Sequence, residues 1–490
     1  MAKMLEDASG AGRPALEHQP EEVDMAQAIE ATLDQACSGM ERSLTGRILR
    51  PGGAAYDEAC TLFNSMIDKR PAVIAQCATP EDVAAALHFG REHDLEIAVR
   101  SGGHSVAGMS LCDGGLVIDV RPMNQVEVDP QRRIARVGGG CTWSQFDRAT
   151  QAHGLATTGG RVSSTGVAGL TLGGGSGWLE RKHGLACDNL ISVELVTADG
   201  NLITASEDEH PELFWALHGG GGNFGVATAF TFRLHPVGPE VLAGLLLYPA
   251  ERGHDLLRLT RDFMPDAPDE FGPAIGYLTV PADEELPAHL HGRLVSALVL
   301  CYTGSIADGE QLIKPFRDLG PEADLVGTVP YADLQCSIDD PPGYRNWWTA
   351  EYLHVVPDEA IDVIHAQAMR TPSPGPAQSF IVPWGGAVGR AGEDATPLTQ
   401  RDATWVVHPF ALWENPADDN AVIGWARDFR DDLQRFSSGG VYLNFIGDEG
   451  SNRVRAAFGE QKYARLAAVK GQYDPTNVFR GNHNIKPATG

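Results

Sequence analysis

TTGGRVSSTGVAGLTLGGGSGWLERKHGLACDNL, residues 157–190, decides what kind of chain this is. Eight glycines stand between Gly159 and Gly177, interleaved with Ser163, Ser164, Thr165 and Thr171, and no charged side chain follows Arg161 in that interval. A flexible linker would share the glycines but not Val167, Leu170, Leu172 and Trp178. The stretch reads as a packed loop whose bare backbone lets a flat ring and a pyrophosphate lie against amides and hydroxyls.

Two other turns use the same device. AVRSGGHSVAG (98–108) sets a β-type run before Ser101, Gly102 and Gly103, so several amides can face one anion beside His104 and Ser105. FWALHGGGGNFGVATAFTFRL (214–234) places four glycines before Asn223 and a β run. The dinucleotide fingerprint G-x-G-x-x-G can be laid on Gly220, Gly222 and Gly225. The residues after Gly225 are strand-like rather than helical, and FWALH before the glycines is not a β run, so a Rossmann site is rejected. A P-loop with its Lys-Ser or Lys-Thr is absent. A flavin remains.

Working outward, β-branched runs (PAVIAQC, EIAVRSGG, GLVIDV) alternate with helical patterns from residue 46 to 237. The spacing predicts a helix over 80–93, with Thr79 as cap, Pro80 at the first position, Glu81 and Asp82 in the first turn, and Val83, Ala86, Leu87 and Phe89 on one face. From about 238 to 437 the glycine clusters thin out, and runs such as RLVSALVLCYTG and DATWVVHPFALW read as antiparallel sheet. The chain then returns to a glycine-marked strand (SSGGVYLNFIG), a helix (RVRAAFGEQKYARLAAVKGQY) and the stop DPTNVFRGNHNIKP. Residues 1–45 read as a tail or docking helix (VDMAQAIEATLDQA).

At 490 residues, with 43 % hydrophobic and 21 % charged side chains, the chain is of ordinary globular composition and large enough for two domains. A net charge of −27 argues against nucleic acid and anionic membranes as partners. No apolar run approaches the ~20 residues of a membrane helix and no leader is evident, so a cytoplasmic protein is expected. The eight cysteines lack metal spacing and read as buried free thiols; no metal site is expected. The oligomeric state is unreadable.

Taken in order, RSGGHS, the loop ending GWLERKHGLACDN, GGGGNFGV, and YLNF with YDPTNVFRGNHNIKP resemble the berberine bridge enzyme-like branch of the vanillyl-alcohol oxidase flavoproteins, over roughly residues 50–487. The resemblance implies an α+β fold: a two-part FAD-binding domain of the PCMH type (46–237 and 438–490) with an inserted substrate domain (238–437). The insert is expected to roof the flavin with an antiparallel β-sheet backed by helices. By that resemblance the cofactor rests on Arg100, Ser101, Gly102, Gly103, His104, Ser105, Gly108 and Met109 of the first turn. It also rests on Thr165, Gly166, Gly169, Thr171, Gly173, Gly174, Gly175, Gly177 and Trp178 of the second, and on Asn223, Gly225 and Val226 of the third. Tyr442, Asn444, Asn482 and Asn484 close the site. Asn223 is expected to hydrogen-bond the ring edge or the diphosphate, whereas Asp188 and Asn189 tie the glycine-rich loop down.

His104 matches the family histidine bonded to the flavin 8α-methyl, and imidazole is a good nucleophile near neutral pH. Many relatives carry a second bond from a cysteine eleven residues before the glycine triplet. Here Val162 occupies that place, so one covalent link is expected. Several relatives place a tyrosine base where this chain has Phe445, which cannot accept a proton. Tyr352, His408 and Glu414, with Tyr442 nearby on the strand, are the remaining candidates. The resemblance implies oxidation of a small organic substrate, an alcohol, sugar or natural-product intermediate, by hydride transfer to flavin N5, with O2 as acceptor and H2O2 as product. A dehydrogenase of the same fold with another acceptor, and a non-catalytic binding protein, stay open.

Overall fold

The computed structural model describes residues 35–488 apart from 285, 341–342 and 373–374. Nearly all of the N-terminal helix expected within VDMAQAIEATLDQA lies outside them.

Among the described residues, three larger sheets and one two-stranded ladder (Leu155–Ala156 with His235–Pro236) build the molecule. The first runs Arg47–Leu49, Val73–Gln76, Leu116–Asp119, Ile97–Arg100, the last three strands being mutually parallel. Leu116–Asp119 (LVID) is buried along its whole length, as expected of a parallel strand covered on both faces. The helix Pro80–Glu92 covers it. Its start agrees with the sequence reading: Thr79 Oγ1 accepts from Asp82 N, a reciprocal box forms with the Asp82 side chain, and Val83, Ala86, Leu87 and Phe89 are buried.

The second sheet is five-stranded and antiparallel, in the order Val126–Asp129, Ile134–Gly138, Val226–Arg233, Leu190–Val196, Leu202–Ser206. The first and third glycine turns each adjoin a strand of these sheets: Ile97–Arg100 runs straight into Ser101-Gly102-Gly103, and Gly219–Gly222 lead into Val226–Arg233.

The third sheet has nine strands, all antiparallel, drawn from residues between Glu240 and Trp413. One face is covered by the helices Gly253–Phe263, Asp358–Ala368 and Asp419–Leu433. Alternation along Trp405–Trp413 (WVVHPFALW) sorts the two faces: Trp405, Val407, Ala411 and Trp413 join the helix-backed core, while His408 and Phe410 point the other way, toward the glycine loops. The expected α+β fold, with an antiparallel sheet backed by helices, is what forms.

Two local expectations fail. SSGGVYLNFIG contains no strand; Leu443–Phe445 is a single 3₁₀ turn. Gly439 at φ 86° and the closure of the Tyr442 side chain onto the glycine loop take the segment out of extended pairing. Within the glycine-rich stretch, VAGLTL forms a helix, Val167–Leu172, whose apolar side chains Val167 and Leu172 are buried. The C-terminal helix Ser451–Tyr473, kinked at Gly459, packs on Pro211–Ala216. It ends on a buried pair: Lys470 Nζ lies 2.6 Å from Asp474, with both side chains fully buried, and also donates to the Asn223 and Phe479 carbonyls. All eight cysteines are unbridged and seven are buried.

Candidate functional site

Between the glycine loops and the free face of the nine-stranded sheet lies a cavity of about 1550 Å³. Its floor is made by turns that touch backbone to backbone. A Cβ on Gly102 would stand 2.2 Å from Gly166 N, and one on Gly166 would stand 2.4 Å from Gly102 N, so only glycine permits the first and second turns to meet. Gly169 and Gly222, by contrast, would carry a Cβ into open cavity, leaving bare backbone along its wall.

His104 projects from that junction. Its Nε2 lies 3.0 Å from Ser164 Oγ, its Nδ1 3.5 Å from Thr165 Oγ1, and its ring stacks on Phe63 at 4.4 Å. Burial lowers its pKa to about 4, so the ring is neutral at physiological pH and keeps a lone pair. Phe63 was not singled out from sequence; nothing in its flanks (TLFNSM) marks it, and only the fold brings it to His104.

Of the residues expected to hold the cofactor, Ser101, Gly102, Gly103, His104, Ser105, Met109, Thr165, Gly166, Gly169, Gly173, Trp178, Asn223, Asn444 and Asn482 border the cavity. The others stand behind it. Arg100 reaches back to the carbonyls of Ala59 and Thr61. Gly108 packs on Ile67, Gly174 on Tyr442, Gly175 on Ala186, Gly177 on the Gly159 carbonyl and Gly225 on Leu195. Thr171 and Val226 are buried, and Asn484 lies off the cavity wall. Arg100 and these glycines shape the loops, while Thr171 Oγ1 and Asn484 Oδ1 have no hydrogen-bond partner among the described residues. Asn223 borders the cavity with its side chain already engaged. Its amide donates to the Gly220 and His483 carbonyls and its Oδ1 accepts from Ile485 N, so the side chain is engaged in tying the C-terminal tail to the third glycine turn. Asp188 and Asn189 do tie the second loop down: Asp188 accepts from Leu185 N and is held by Arg401, and Asn189 donates to the His183 and Leu185 carbonyls.

The four candidate bases separate. Tyr442 is fully buried and off the cavity; its oxygen accepts from Gly175 N (2.6 Å), Ser176 N (3.0 Å) and Asn444 Nδ2 (3.0 Å). Burial raises its pKa. Tyr352 is likewise buried, against Trp384, and does not reach the cavity. Both side chains are drawn into the core by aromatic packing that alternation alone did not reveal. His408 and Glu414 do border the cavity. His408 Nδ1 lies 2.9 Å from the Thr349 carbonyl, which fixes the Nδ1–H tautomer; its Nε2 has no hydrogen-bond partner among the described residues. The ring lies flat against Phe445 at 4.5 Å, and burial lowers its pKa to about 4.

The pattern of bare glycine backbone, a neutral histidine at the junction and Asn482 Oδ1 without a partner among the described residues fits a flavin dinucleotide. Residues 71–206 match the family model for an FAD binding domain, and residues 441–486 match the model described as berberine and berberine like. The chain is 32 % identical to (R)-6-hydroxynicotine oxidase of Paenarthrobacter nicotinovorans over 91 % of its own length and 97 % of that protein. The chain belongs to the berberine bridge enzyme-like FAD-linked oxidoreductases. Another such oxidoreductase, YgaK of Bacillus subtilis, is 30 % identical, with 91 % of this chain and 98 % of that one covered. The crystal structure of 6-hydroxy-D-nicotine oxidase from Arthrobacter nicotinovorans superposes with a TM-score of 0.82 at 30 % identity, over 91 % of this chain and 98 % of that one. This FAD-linked oxidoreductase thus has its cofactor loops and its sheet facing each other across one chamber. Among its described residues no helix is long and apolar enough to cross a membrane.

Proposed function

We propose that this FAD-linked oxidoreductase is an oxidase that carries its flavin on one covalent bond, through His104. The observation that carries the reading is the neutral His104 ring at the backbone-to-backbone junction of two glycine turns. An imidazole with a free lone pair is the nucleophile such a bond requires. Ser164 and Thr165 aim it, and stacking on Phe63 holds the ring plane. Val162 borders the cavity where a second tether would arise and offers no nucleophile.

FAD held along residues 101–105, Thr165, Gly166 and Gly169 would supply a two-electron acceptor for a substrate C–H bond and, with O2 as the final acceptor, a route to H2O2. The chain's own part is positioning. His408, locked by Thr349 as the Nδ1–H tautomer, presents Nε2 as an acceptor for a substrate O–H or N–H. Burial disfavours its imidazolium, so Nε2 serves as a hydrogen-bond acceptor that orients the substrate rather than as a store for its proton. Asn444 lines the chamber with its amide anchored by the Leu170 carbonyl and Tyr442.

The test is acid precipitation of purified protein followed by peptide mapping. Flavin mass is expected on the peptide containing His104 and on none near Val162; a pellet that releases all its flavin overturns the covalent reading. Anaerobic reduction followed by air separates the acceptor: prompt reoxidation with stoichiometric H2O2 is expected, and slow reoxidation in air favours a dehydrogenase.

A further inference from the structure

Ser164, whose Oγ meets His104 Nε2, stands in a turn that is gripped from both sides. Thr165 N donates to the Val162 carbonyl at 3.1 Å and closes four residues into a turn with Ser163 and Ser164 at its centre. One side is pinned by the start of the helix Trp143–Gln151: Trp143 N donates to the Thr165 carbonyl at 3.0 Å and Ser144 N to the Ser163 carbonyl at 2.9 Å. The other side is pinned by Asp339. Its Oδ1 accepts from Ser163 N at 2.6 Å and its Oδ2 from Ser163 Oγ at 2.5 Å. A carboxylate that takes both donors of one residue fixes its backbone and its side chain together, and such charge-assisted bonds are about twice as strong as neutral ones.

Asp339 belongs to another part of the fold. It follows the strand Gly327–Pro330 of the nine-stranded sheet and the helical turn Tyr331–Leu334. Four residues before it, Gln335 grips the same glycine loop: its Nε2 donates to the Gly160 carbonyl at 3.2 Å and to Asp147 Oδ2 at 2.8 Å. Residues 160–163 are therefore clasped from the sheet's side of the chamber. One residue beyond the clasp, Ser164 Oγ lies 3.0 Å from His104 Nε2, so a hydrogen bond, a peptide unit and a second hydrogen bond lead from Asp339 to the imidazole.

We propose that Asp339 is a positioning residue for flavin attachment, acting through Ser163 and Ser164 on His104, so that the histidine is aimed when the nine-stranded sheet is seated over the glycine loops. This rests on the reading of His104 as the attachment residue. In attachment a bond forms between a ring nitrogen of His104 and the flavin 8α carbon, one methyl C–H and the imidazole N–H break, and O2 takes the two protons and two electrons as H2O2. A nucleophile misplaced by about 1 Å loses about 100-fold in rate, so a turn that fixes the ring matters to this step more than to binding.

Full-length protein made by cell-free translation without flavin is given FAD in air, and acid-precipitable flavin is followed in time beside total bound flavin. Asp339→Ala is expected to bind total flavin as the parent does while attaching it about 10- to 100-fold more slowly. Ser163→Ala removes the Oγ bond, keeps the amide bond and is expected to fall between the two; it decides alone if Asp339→Ala does not fold. Asp339→Asn keeps an acceptor for Ser163 N and offers a donor to Ser163 Oγ, so it is expected to recover most of the parent rate. Attachment at the parent rate in Asp339→Ala and Ser163→Ala, a covalent share that falls only in step with total bound flavin, or Asp339→Asn as slow as Asp339→Ala overturns the proposal. A parent that never attaches flavin refutes the His104 linkage and the proposal with it, whereas a parent that attaches flavin beside equally fast variants refutes the role of Asp339 alone.

Discussion

Tyr442→Phe separates two roles for one hydroxyl. The phenolic oxygen accepts from Gly175 N, Ser176 N and Asn444 Nδ2 at 2.6, 3.0 and 3.0 Å, and the side chain has no solvent exposure. Phenylalanine keeps the ring packing against Trp384 and Phe445 and removes only the acceptor. Three buried donors then lose their partner, at about 1–3 kcal/mol each if nothing relaxes. Asn444 retains its second bond, to the Leu170 carbonyl, and can turn toward the chamber, so its share is the smallest. A loss of about 3 kcal/mol is expected from the two backbone amides alone. Urea unfolding of the flavin-loaded protein, followed by tryptophan fluorescence, measures it. Residual turnover at low temperature should survive, because the hydroxyl does not face the chamber. A variant within about 0.5 kcal/mol of the parent, an ordinary surface-substitution effect, but devoid of turnover, would refute the structural role and restore Tyr442 as a chemical group.

Three further perturbations probe other parts of the packing. Gly166→Ala sets a Cβ 2.4 Å from Gly102 N and 2.5 Å from Ser101 Oγ. The protein should therefore purify with its flavin-to-protein absorbance ratio sharply reduced; an unchanged ratio would show that the turns need not touch. Lys470→Met leaves Asp474 charged in a fully buried setting and should cost about 3–5 kcal/mol, read as a lowered urea midpoint. Asp147 is buried beneath Gln335, and burial raises its pKa to about 7 from an ordinary value of 3.8. The native state therefore binds a proton there that the unfolded chain has lost, and stability falls as pH rises from about 4 through 7, by about 1.4 kcal/mol per pH unit. Asp147→Asn should remove that slope, so its advantage over the parent grows between pH 5 and pH 8; parallel pH profiles would contradict it.

Much of this was legible in the chain itself. The glycine turns at 102–103, 166–177 and 219–225 mark where backbone must approach backbone or a ligand, and no other residue type allows that, so they announce themselves without a structure. The cap at Thr79 and the β-branched runs likewise act over a few residues, where local sterics and hydrogen bonds decide. His104 was legible for the same reason, as the one imidazole set directly after such a turn.

What only the tertiary structure decided is which way the neighbouring side chains face and what they meet. Tyr442, Asn223 and Arg100 carry the right chemistry in the right motifs, yet each is engaged by a partner from a distant part of the chain: the glycine loop, the C-terminal tail, and the Ala59 and Thr61 carbonyls. Phe63 stacked on His104, and His408 laid flat on Phe445, are assembled from segments separated in sequence and joined only by the fold. Local pattern fixes period and turn; pairing across such separations depends on how the sheets close around one chamber, and that packing leaves no mark on any single stretch of sequence.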